Sequence, residues 1–230
     1  MYNEIRIGID AVSAIICFIL VWFMAKPYSL TREHRYIGLP IGFFFLGISS
    51  VVMIIAISIP NYFTSELSWL QILPRTFAFL FLAVTYYFSN ASRKSQLIWD
   101  LSISLLFLTL VTLVIFLTIN PQFFSIVTYF TIGFYFRVCN ILCLFYISIH
   151  TLRTHLKSLE SSTFLIPFGF ILLGIGQYSI MIFLFDRTLF AFWGALALRL
   201  AALGVFLYIS YKAFYSSNEG NANEKTPAQR

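Results

Sequence analysis

LLFLTLVTLVIFL, residues 105–117, is an apolar run broken by two threonines and by no charge. A strand of a membrane barrel would alternate apolar and polar positions over about ten residues; here both faces are apolar. Extended outward, the run fills residues 97–119, and about 20 such residues cover the roughly 30 Å of hydrocarbon in a bilayer. In that medium every backbone N–H and C=O must be bonded within the segment, which selects an α-helix. Six further stretches share this length and character: 5–25, 37–59, 67–89, 124–149, 163–185 and 189–212. The reading is an all-α membrane protein, a seven-transmembrane helix bundle.

Composition points the same way. Of the 230 residues, 60% are hydrophobic and 10% charged, where a soluble domain carries about 25% charged residues. A globule of this size cannot hide so much apolar surface, so the lipid bilayer is the expected partner for most of it. A net charge of +6 raises nucleic acid as a partner, but a nucleic-acid binder gathers its bases on a water-facing surface. These bases sit in short segments between apolar runs, and no nucleic acid is expected. The first run, Ile5 to Ala25, is longer than a signal-peptide core and lacks a basic start and a small-residue cleavage pattern, so it reads as a retained span.

Lys and Arg set the orientation. The connections after spans one, three and five, with the tail, hold Lys26, Arg32, Arg35, Arg93, Lys94, Arg153, Lys157, Lys212, Lys225 and Arg230; the opposite side holds Arg6 and Arg187. The basic side is cytoplasmic by the positive-inside rule, which puts the N-terminus outside and the C-terminus in the cytoplasm. The membrane expected is the plasma membrane. Tyr and Trp near span ends, including Trp22, Tyr28, Tyr36, Tyr62, Trp69, Trp99, Tyr208 and Tyr211, read as interfacial anchors. Residues 216–230 are polar, without apolar periodicity, and read as a disordered cytoplasmic tail. With no output domain in that tail, a signal would pass to a separate protein partner at the cytoplasmic loops, where His150 to Lys157 form a basic segment.

The chain also resembles itself. PIGFFFLGI, residues 40–48, matches PFGFILLGI, residues 167–175, at six of nine positions with an offset of 127. Arg75 and Arg199 are 124 apart, and Ile7 with Gly8 can be set against Ile132 with Gly133 at 125. Together these suggest a 3+1+3 parallel internal repeat, spans one to three related to spans five to seven around a lone fourth, as in some transporters. Arg137 lies 62 residues from both other arginines, a spacing that three successive helix pairs would explain equally simply.

Ionisable groups in hydrocarbon cost several kcal/mol in typical cases and mark functional sites by default. Counted along their helices, Arg75, Arg137 and Arg199 lie roughly 20 Å above the cytoplasmic ends at 1.5 Å per residue. Asp10 and Gln177 reach a similar depth. Gln71 precedes Arg75 by four residues and Asn140 follows Arg137 by three, so each pair shares a helix face. The expected ligand-binding set is Arg75, Arg137, Arg199, Asp10, Gln71, Asn140 and Gln177. Three cations against one carboxylate make an electropositive pocket, and the planar guanidinium fork suits carboxylate, phosphate or another oxyanion. The plain alternative is structural: an arginine about 10 Å below the outer boundary can snorkel toward water or bond to carbonyls. Pro74, beside Arg75, is expected to bend its helix. Gly38 with Gly42, and Ala197 with Ala201, are small-residue pairs that allow close helix packing.

Cys17, Cys139 and Cys143 lie inside apolar runs and His34, His150 and His155 in hydrophilic connections, without the spacing of a metal site. No metal and no cofactor is expected. The chain has no phosphate-binding loop, metalloprotease helix motif or nucleophile elbow, so no catalytic residue is assigned and it is not read as an enzyme. A retinal pigment needs a lysine midway along the last helix, where this chain has Arg199, which does not readily lose its proton. The function expected is a receptor or sensor binding a small anionic ligand in the outer half of the bundle. The alternatives are a small-solute or ion transporter or channel, and an accessory subunit of a membrane complex.

Overall fold

Hydrocarbon offers the backbone no external hydrogen-bond partner, and in the computed structural model of the chain the described elements are accordingly α-helices. It describes residues 2–31, 37–58, 65–88, 96–119, 126–158, 165–186 and 188–223. These form α1 (Tyr2–Thr31), α2 (Gly38–Ser58), α3 (Ser65–Phe88), α4 (Gln96–Ile119), α5 (Ile126–Ser158), α6 (Leu165–Asp186) and α7 (Leu189–Asn223), with no strand among the described residues. Six of the seven helices are long and apolar enough to cross a membrane. In α3 the apolar run is interrupted by Gln71, Pro74 and Arg75. Of the residues that oriented the chain, Arg32, Arg35, Arg93, Lys94, Arg187, Lys225 and Arg230 lie outside the described residues, as do His34, Tyr36 and Tyr62 and the side chains of Tyr28, Lys157 and Trp69.

Two helices run past their expected ends. The segment His150 to Lys157, expected as a basic loop, is the last part of α5. Extending a formed helix adds one hydrogen bond per residue fixed, and cations suit the negative end of the helix dipole. Likewise α7 continues to Asn223, beyond the Ser216 boundary of the expected tail.

Six helices close a ring: α1 on α2, α2 on α3, α3 on α5, α5 on α6, α6 on α7 and α7 on α1. α4 stands outside it, resting mainly on α3, with Leu101, Leu105, Phe107 and Leu108 exposed on its outer surface. Water-soluble monomers rarely leave so continuous an apolar face uncovered; here lipid is its solvent.

Two glycines of the repeated motif sit at close helix contacts of the ring. A Cβ on Gly42 would lie 2.6 Å from Leu82 Cγ of α3, and one on Gly169 would lie 2.7 Å from Phe206 Cζ of α7. One residue further on, Phe43 and Phe170 converge on the same Phe206 ring, at centroid distances of 5.5 and 4.8 Å. With Phe79, Leu82, Leu144, Leu173 and Leu203 they fill the middle of the ring. Gly38 packs against Thr85; Ala197 and Ala201, the other small-residue pair, face outward instead. Trp99, read as an interfacial anchor, is buried, while Trp22, Tyr208 and Tyr211 are exposed.

Candidate functional site: a cavity lined by arginines

In the interior of a bundle, polar side chains keep their place when helical carbonyls or partners on other helices satisfy them. Ser13, Ser50 and Thr76 donate their hydroxyl protons to carbonyls one turn back in their own helices. Ser49 instead donates across to the Gln71 carbonyl at 3.0 Å, tying α2 to α3 beside Pro74. The larger polar groups lack such local solutions and gather around one cavity of about 310 Å³.

All seven residues expected at the site line this cavity: Asp10 from α1, Gln71 and Arg75 from α3, Arg137 and Asn140 from α5, Gln177 from α6 and Arg199 from α7. Their shared depth follows from helical rise. Their shared direction is set by the ring, which turns these faces inward. Arg6, Met53, Phe183 and Phe192 join them and were not expected. In the charge count Arg6 is only a basic residue of the side opposite the tail. Its signal was present, because it precedes Asp10 by four residues and so shares its face.

Among the described residues the cavity has one carboxylate. Asp10 accepts a hydrogen bond from Nη2 of Arg199 through Oδ1, and its Oδ2 lies 4.0 Å from Nε of Arg6. Arg6 also sits over the Phe192 ring, 5.1 Å from the centroid, and its Nη2 approaches Met53 Sδ at 3.5 Å. Four guanidiniums against one carboxylate leave the described lining with a net charge of +3. Arg75 is buried and shares the lining with Arg199, Asp10, Arg137 and Arg6. Removing an ion from water costs several kcal/mol unless partners compensate, so this layer strongly favours an added negative charge.

Two buried amides face the same space. Among the described residues Asn140, 1% exposed, has no partner for Nδ2 or Oδ1, and Gln177, 4% exposed, has none for Oε1. Unmet buried donors and acceptors each cost about 1–3 kcal/mol, so the site supplies hydrogen-bonding capacity that the protein itself leaves unused. The remaining wall is apolar: Met53, Ala56, Ile72, Ile180, Phe183, Phe192, Ala195 and Leu196. Next to the cavity Leu46, Phe79, Leu173 and Leu203 close the ring around a void of about 20 Å³ that Arg75, Gln177 and Arg199 also border, roughly the space of one water.

The fold and the site together define an all-helical, multi-pass membrane protein with a cationic cavity inside its helix ring. Comparison with protein-family models, with curated proteins and with solved structures returns no match for this chain. Function must then be read from the chemistry of the site.

Proposed function

We propose that this protein is a seven-span membrane receptor or sensor that binds a small anionic ligand in the cavity and passes its occupancy to a separate cytoplasmic partner. α3 supplies the seventh span, entering with Gln71 and Arg75 turned into the ring. The N-terminus is outside and the C-terminus cytoplasmic, in keeping with the excess of Lys and Arg at the ends of α1, α5 and α7. The cavity then opens to the outer half, since it is lined near the starts of α1, α3 and α7 and near the ends of α2 and α6. A plasma membrane suits an outward-facing site.

The observation that carries the reading is the meeting of four guanidiniums, one carboxylate and two amides without protein partners in a single cavity. Asp10 serves Arg199 and Arg6, whereas among the described residues no carboxylate pairs with Arg75 or Arg137, as one would with a purely structural arginine. The apolar closure beneath the cavity favours binding over open conduction.

A transporter is the second reading, and the ring itself favours it. Exchanging α1, α2 and α3 with α5, α6 and α7 turns every contact of the ring into another of its contacts, as a 3+1+3 parallel repeat would require. The two readings separate in proteoliposomes containing purified protein. Under the receptor reading, small organic acids and inorganic anions raise the thermal unfolding midpoint without flux, and Arg137→Ala removes that rise. Uptake of an anion, lost in Arg137→Ala, would replace the receptor by the transporter; a stoichiometric membrane partner on purification would favour an accessory subunit.

A further inference from the structure

Several of the residues that line the cavity occupy equivalent positions in the two halves of the ring. At an offset of 127, Met53 of α2 pairs with Ile180 of α6, and at 124, Arg75 of α3 pairs with Arg199 of α7; all four line the cavity. For α1 and α5 the offset of 125 suggested by Gly8 and Gly133 does not fit, because Gly8 is exposed and Gly133 buried. An offset of 127 does: Ser13 pairs with Asn140, Cys17 with Leu144 and Leu20 with Ile147, all fully buried. By the same offset the counterpart of Asp10 is Arg137.

This exchange carries the α1·α7 junction onto the α5·α3 junction, and there the two halves differ in charge. At the first, Arg199 holds the Asp10 carboxylate. At the second, the equivalent arginine, Arg75, shares the cavity wall with Arg137, so a cation stands where its twin has an anion. Next along that face is Asn140, with both ends of its amide unpartnered among the described residues.

Resting on the ligand-site reading, we propose that the ligand is a small carboxylic acid with an apolar body, whose carboxylate lies between Arg75 and Arg137 as the Asp10 carboxylate lies beside Arg199. A carboxylate matches the guanidinium fork in two parallel hydrogen bonds, and the Asn140 amide supplies a further donor. The apolar body lies against Ile180 and Phe183 of α6, the helix next to α5. These walls oppose an ion charged on all sides, such as phosphate, which needs polar partners around its whole surface.

Hexanoate and inorganic phosphate are the probes, with thermal unfolding of the full chain in detergent as the readout. Hexanoate is expected to raise the midpoint of the wild type, and phosphate to do so weakly. Arg137→Asp places a protein carboxylate beside Arg75. It is expected to unfold at or above the wild-type temperature without ligand and to lose the hexanoate shift. Arg137→Ala is expected to lose the shift without that stabilisation. Lys212→Gln, exposed on α7 and away from the cavity lining, retains the shift. Two results overturn the inference while leaving a ligand site standing: phosphate stabilises and hexanoate does not, or the hexanoate shift persists in both Arg137 variants. An Arg137→Asp protein no more stable than Arg137→Ala also overturns it. If neither probe moves the wild-type midpoint, the anion-site reading itself fails.

Discussion

Asp10→Asn changes one atom type at the centre of the cavity and keeps the side chain's shape. The carboxylate is 2% exposed and its Arg199 partner 13% exposed, so solvent screens the pair little. Removing one member of a buried pair costs about 3–5 kcal/mol, chiefly because the other charge is left buried and uncompensated. Here the lining rises from a net +3 to +4, with Arg6 and Arg199 both losing their carboxylate. At about 2–4 °C per kcal/mol for a chain of this size, the midpoint should fall by about 6–20 °C in detergent. The assay is a thermal melt of wild type, Asp10→Asn, Arg199→Gln and the double variant. If the pair is real, the double variant recovers much of the loss, because neither charge is then stranded. A midpoint for Asp10→Asn within about 1 °C of wild type, or strictly additive losses, would refute the assignment of Asp10 as the cavity's internal counter-ion.

Three further outcomes are expected. Gly42→Leu should destabilise strongly, by more than the 1–3 kcal/mol typical of core overpacking, since even a Cβ there lies 2.6 Å from Leu82; Gly174→Ala, whose nearest neighbour would be Leu144 Cβ at 3.8 Å, should be tolerated, and similar melts for the two would contradict the packing. Asn140→Leu removes an amide without protein partners and should leave unfolding unchanged or raise its midpoint while weakening anion-induced stabilisation; destabilisation with unchanged anion response would make Asn140 a structural residue. For topology, cysteine introduced by Asn3→Cys should react with an impermeant maleimide on intact cells, and Ala222→Cys only after lysis; the reverse pattern would invert the orientation.

The helices were legible because lipid imposes a condition each segment must meet alone. Runs such as Leu105–Leu117 announce it without reference to the rest of the chain. Helix ends were less legible, as α5 and α7 show by continuing past the apolar residues that reveal them. Trp99, too, gives in sequence no sign of whether it turns to lipid or to protein.

For the site, sequence spacing determined depth: Arg75, Arg137 and Arg199 had to lie at similar heights, because every α-helical residue rises by the same 1.5 Å. Spacing says nothing about azimuth between helices. Only the packing of the ring decided that three arginines from three helices turn inward to one cavity, that Asp10 engages Arg199, and that Arg6 joins them. Depth is a property of one helix and its place in the bilayer, whereas convergence depends on how separate helices rotate against each other through contacts such as Gly42 on Leu82 and Phe43 on Phe206.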